Sequence, residues 1–74
     1  SLTPEIANKW LAGESIAEVR FGLNDEVQII NGPNSGKTGV VSSLQQLQPE
    51  PGYVIATADG GNLAVMQSDI LPAP

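Results

Sequence analysis

The sequence predicts a mainly-β domain: a small barrel of four to five strands with an α-helix at its N-terminus. Three observations carry this. From Glu26 onward, short β-branched and apolar runs are cut at close intervals by glycine-bearing turns. Ahead of them lies a segment with the punctuation of a helix. The chain has 74 residues, 41% of them hydrophobic, a size that fits one domain, residues 1–74, with one simple core. Within it, residues 1–24 form the helical segment and residues 25–72 the barrel.

The helix is expected over Pro4 to Ala12. Thr3 suits its cap, Pro4 its first position, and Glu5 the positive end of its dipole. Ile6 and Trp10 share a face, as do Ala7 and Leu11, and Gly13 offers the left-handed residue that ends the helix. So short a helix is unstable alone, so its Ile6/Trp10 stripe must dock on the barrel, with Trp10 as anchor. Residues 15–21 carry two patterns. Ser15 with Glu18 makes a capping box, while Ala17, Val19 and Phe21 alternate with Glu18 and Arg20 as in a strand. The reading favours a short helix or turn, closed by Gly22, with a turn at Asn24-Asp25.

The first strand is expected over Val27, Ile29 and Ile30, its turn over Gly32 to Gly36, and the second strand over Val40 to Leu44. Residues 45–52 hold two prolines that cannot donate to a ladder, which predicts an exposed loop. Tyr53 to Thr57 reads as the third strand, Asp59-Gly60-Gly61 as a turn, and Leu63 to Met66 as the fourth strand. Ser68 to Leu71 closes the sheet, and Pro72-Ala73-Pro74 frays. Closure into a barrel removes the edges that an open sheet would leave exposed. No internal repeat is present.

Composition excludes much chemistry. Cys and His are both absent, which removes thiol nucleophiles, disulfides, zinc sites built on either residue, and every imidazole acid or base. Eight acids face three bases, Lys9, Arg20 and Lys37, for a net charge of -5. Nucleic-acid binding draws most of its affinity from clustered cations, so this balance disfavours it. No apolar run reaches the ~18–20 residues of a membrane span, and no segment reads as a signal peptide. A cytoplasmic protein without a membrane partner is expected, and lack of Cys fits that compartment. No cofactor or metal is implied, and the pattern assigns no oligomeric state.

The most informative stretch is Asn31-Gly32-Pro33-Asn34-Ser35-Gly36-Lys37-Thr38-Gly39. Its Gly-Lys-Thr also ends a phosphate-binding loop, but such a loop needs glycine five positions before its second glycine, where Asn31 stands. It also needs a helix after it, whereas Gly39-Val40-Val41-Ser42-Ser43 favours strand. The stretch from Val27 to Val41 instead resembles a KOW motif: an apolar strand, glycines spaced four and three apart, and a second apolar strand. Gly52-Tyr53-Val54, Asp59-Gly60 and Ser68 to Pro72 are similar to the remaining strands of KOW and related SH3-like barrels. The resemblance spans roughly residues 25–72, with glycines serving where the backbone turns back or two strands approach closely.

That resemblance implies an SH3-like barrel that binds ribosomal RNA or other proteins through its loops, with Asn34, Ser35 and Lys37 in the binding role. RNA-binding relatives place several basic residues beside this loop, and here Lys37 stands alone. The expected function is therefore a non-enzymatic protein-binding module. An RNA-, ribosome- or transcription-associated factor is the alternative, and an acidic inhibitor of a basic partner such as a nuclease the second. Tyr53 is a further binding candidate on the barrel surface; half-burial in the core is the competing reading. Other constellations read as structure. Ser35 with Lys37 lacks the desolvation a Ser-Lys dyad requires, Asp25-Glu26 is a solvated pair, and Asp59-Gly60-Gly61-Asn62 lacks the ligands of a calcium loop. Residues 15–23 echo half of a helix-turn-helix with no recognition helix after it.

Overall fold

The first helix starts where its chemistry places it. The Thr3 hydroxyl accepts the Ile6 N–H at 3.2 Å, and the proline beside it opens the first turn. The computed structural model describes residues 2–74 and gives α1 as Pro4–Leu11, with Ala12 as its cap and Gly13 turning the chain out at φ +86°. Trp10 is its anchor as expected: the ring is 3% exposed, and its Nε1–H donates to the Phe21 carbonyl at 2.9 Å. The remainder of the expected stripe is weaker, since Ile6 is half-buried outside the core cluster and Leu11 faces solvent. The helix lies against the second strand.

No helix follows Ser15. The chain makes a turn in which the Val19 N–H reaches the Ile16 carbonyl, and Glu18 takes φ +69°, which ends any capping-box geometry. Asn24 adopts φ +69° in the next turn, as its short amide side chain tolerates.

Five antiparallel strands come next: β1 (Glu26–Ile29), β2 (Thr38–Gln46), β3 (Gly52–Thr57), β4 (Asn62–Met66) and β5 (Ile70–Pro72), with a 3-10 turn over Gln67–Asp69 ahead of β5. They form one sheet in the order β4-β3-β2-β1-β5. The fold is thus mainly β with an N-terminal helix, as predicted. Alternate residues Val27 and Ile29, and Tyr53 and Ile55, with Val41 and Leu44 on either side of a register slip in β2 and with Ile70, meet Trp10 and Phe21 in one core. Leu63 and Val65 of β4 pack against the same cluster. Residues from both edge strands reach one core, so the sheet curls on itself. The bend runs through β2, whose register slips against β3 between Val41 and Ser43 and again between Leu44 and Gln46. Complete burial of Val27, Val41, Ile55 and Ile70 contributes roughly 1.5–3 kcal/mol each.

Two sequence expectations are corrected. The strand predicted to stop at Leu44 runs to Gln46, which pairs with Gly52, so the exposed loop shrinks to Leu47–Pro51 and Pro51 is itself buried. The ladder continues because Gln45 is exposed and Gln46 is satisfied by the Glu50 carbonyl at 3.3 Å. Nor does Pro72 fray. It pairs with Val27, and Ala73 donates its N–H to the Glu26 carbonyl at 2.9 Å. In that register residue 72 turns its nitrogen away from β1, where a proline costs no ladder bond.

Gln67 joins distant parts of the chain. Its Oε1 accepts the Tyr53 hydroxyl and the Arg20 N–H at 2.9 Å, while its Nε2 donates to the Glu18 carbonyl at 3.0 Å.

Candidate binding surface

The β1–β2 loop is built from backbone outward. Gly36 donates its N–H to the Ile29 carbonyl at 2.7 Å, and Ile29 returns a bond to Lys37 at 2.9 Å, closing the base of the loop. Inside it the Ser35 N–H reaches the Gly32 carbonyl and the Lys37 N–H the Asn34 carbonyl, both at 3.1 Å. Gly32 and Gly36 hold φ +87° and +96°, conformations that L side chains rarely adopt. Gly39 serves differently. A Cβ there would lie 2.4 Å from the Ala56 carbonyl oxygen, so its bare backbone lets β2 cross β3 closely. These are the two roles the glycine spacing predicted.

This geometry gathers Asn34, Ser35 and Lys37 on one loop. Asn34 is half-buried, and Ser35 and Lys37 are exposed. The Lys37 ammonium lies 3.6 Å from an Asp59 carboxylate oxygen, bridging the loop to the β3–β4 turn. Asp59 is also bonded by the Thr57 hydroxyl and, at 3.2 Å, by the Gly61 N–H. The Thr57 hydroxyl foremost, then the Gly61 N–H and Lys37, hold the Asp59 carboxyl below its ordinary value. Its oxygens are thus engaged in the turn itself. On the other flank Asn31 Nδ2 donates to Asp69 Oδ1 at 3.2 Å.

Tyr53 does not join this group. It is fully buried, meets Phe21 edge-on with centroids 5.7 Å apart at 86°, and gives its hydroxyl to Gln67. Burial pushes its phenol above the ordinary value. The core reading of this residue therefore stands, and it is removed from the binding surface. Lys37 leads directly into the nine-residue strand β2, which leaves the Gly-Lys-Thr without the helix a phosphate loop requires. Asp25 likewise acts locally, accepting the Gly22 N–H on Oδ2 at 2.7 Å.

Recesses flank the loop. One of about 270 Å³ lies between Gly36–Thr38 and Thr57–Asp59, and continues into an apolar groove of about 380 Å³ lined by Gly39, Val40, Ala56 and Ala73. Another, of about 300 Å³, lies between Asn31–Asn34 and Ala64–Met66, with Asp69 in its wall. Sequence reasoning missed Asp59, Asp69 and this second recess, because they meet the loop across long separations that no local pattern records. Among the described residues no cluster of three or more acidic side chains is placed to hold a metal ion, and no helix is long and apolar enough to cross a membrane. Set against known proteins, the chain matches no family model and no curated sequence.

Proposed function

We propose that this protein is a non-enzymatic binding module that takes a protein partner on the face centred on Asn34, Ser35 and Lys37. One observation carries the reading: the loop's single ammonium is paired with Asp59, and the charged residues lining the recesses on either side are the acids Asp69 and Glu26. A phosphate backbone finds no free cation cluster there among the described residues, whereas a protein surface needs none. The closed hydrogen bonding of the loop favours a preorganised contact, which lowers the ordering entropy of binding. Two strands joined by the glycine loop, within a curled five-stranded sheet, support reading the domain as an SH3-like barrel of the KOW kind. The net charge of -5 also favours a second reading, an acidic inhibitor that blocks a basic partner.

The test uses the cysteine-free chain to carry one photoactivatable thiol label at a time. A label on Ser35→Cys should give a discrete protein adduct in lysate, competed by excess unlabelled protein, while a label on exposed Asn8→Cys gives none. An RNA adduct at Ser35, or saturable salt-sensitive shifts of Lys37-region amides with an RNA oligomer, would overturn the proposal. If the inhibitor reading holds, association with the captured partner slows steeply as salt rises.

A further inference from the structure

The two edges of the sheet differ in what they offer another chain. In the β3–β4 ladder, Thr57 donates to the Gly61 carbonyl and Gln67 to the Pro51 carbonyl, both at 2.8 Å. With the pairing of Tyr53 to Val65 and Ile55 to Leu63, those bonds turn the N–H and C=O groups of Leu63 and Val65 toward β3. Asn62, Ala64 and Met66 therefore direct theirs outward; the Met66 carbonyl caps the 3-10 turn that follows, which leaves both groups of Asn62 and Ala64 and the Met66 N–H open among the described residues. The opposite edge is closed. Ile70 bonds its outward N–H to the Gln67 carbonyl, and Pro72 has no N–H to offer. Natural sheets blunt an edge with proline, lysine or a bulge. β5 carries the first of these, while β4, Asn-Leu-Ala-Val-Met, carries none.

We infer that β4 takes an extended, cationic segment of a partner protein as a sixth strand, seated in the recess between Ala64–Met66 and Asn31–Asn34. The inference rests on the protein-binding reading and names the partner's form. Backbone bonds to Asn62, Ala64 and the Met66 N–H supply affinity, and alternate side chains of the added strand enter the recess. Charge selects the occupant. Asp69 lines the recess with its carboxylate bonded to Asn31 and no cation beside it among the described residues, and the chain as a whole carries -5. A second copy of this chain would bring its own Asp69 and its own negative charge to the same place.

The probe is an acetylated, amidated hexapeptide of alternating lysine and valine, titrated into the isotope-labelled 74-residue chain and followed by amide NMR. Saturable shifts at Asn62, Ala64, Met66 and Asn34, with none at Leu71, are expected. N-methylation of alternate peptide amides should abolish them. Ala64→Pro removes an outward donor without touching the β3 ladder, and should weaken binding about tenfold. Should that variant fail to fold, the N-methylated peptide decides. Asp69→Asn should weaken binding about threefold at low salt. No shift on β4, equal binding of the N-methylated peptide, or equal binding of a glutamate–valine peptide would overturn the inference. So would sedimentation as a dimer through β4 that the peptide does not displace. A competed protein adduct at Ser35 with β4 silent would sink strand addition alone and leave the binding-module reading standing.

Discussion

Residues 2–23 attach to the sheet chiefly through buried rings, with the Glu18 carbonyl and Arg20 N–H held by Gln67, whereas residues 31–37 attach through their own peptide groups. In the first region Trp10 and Phe21 are buried with Tyr53, and their polar atoms serve mainly to make that burial tolerable, as the Trp10 Nε1–H does on the Phe21 carbonyl. In the second, Gly36, Ile29 and Lys37 close the loop with backbone bonds, and most of its side chains are left to solvent. The difference separates two ways of holding a segment. Apolar area supplies stability around the helix, while a loop held by its own main chain leaves most of its side chains to solvent, as the proposed binding role requires.

The contrast can be broken from either side, and the largest effect belongs to the rings. Trp10→Ala should lower unfolding free energy by about 3–5 kcal/mol in a denaturant titration. An unchanged midpoint would mean that α1 is merely laid on the surface. Next comes the close crossing behind the loop: Gly39→Ala places a Cβ against the Ala56 carbonyl and should destabilise by about 1–3 kcal/mol, with amide shifts in β2 and β3. If it is silent, the strands separate more readily than their spacing shows. Tyr53→Phe keeps the ring and deletes the hydroxyl, for a loss of about 1 kcal/mol, because Gln67 Oε1 retains the Arg20 N–H. A loss as large as that for Trp10 would make the polar network, and not the ring, the chief contribution there.

The smallest effects belong to the loop. Lys37→Ala should change stability by no more than about 0.5 kcal/mol, since the ion pair is exposed. Its partner carries a pH signature. The folded Asp59 carboxyl is held below its ordinary value, so its stabilising contribution is present above that value and disappears as pH falls through the depressed one. Asp59→Asn should flatten this acid limb of the stability curve. A limb identical in both proteins would place the sensitivity on another carboxylate.

How much was legible depends on the kind of contact that encoded it. The helix start at Thr3-Pro4, the turn residues Gly32, Gly36 and Gly60, and the alternation in β1 and β3 are local, and the sequence displays them directly. Gln45 and Gln46 read as loop because they are polar, yet a strand beside a bulge needs only an outward face for one and a carbonyl for the other. Tyr53 stayed ambiguous because what settles it, a hydroxyl partner on Gln67, lies 14 residues away. Of the proposed surface, the loop carrying Asn34, Ser35 and Lys37 was readable from the glycine spacing, while a binding role for those residues came only from the resemblance to a KOW motif. Asp69 and the open side of β4 were not, since they depend on which strand ends the sheet.

Gln67 also decides how this unit can be handled as a module. One amide reads Glu18 and Arg20 on one hand and Tyr53 on the other, so the leading segment and the strands are keyed to each other rather than merely adjacent. A transplant that moved residues 25–72 into a foreign host would leave Tyr53 without its Phe21 neighbour and the amide short of two backbone mates. A graft of the sheet has to carry both parts together.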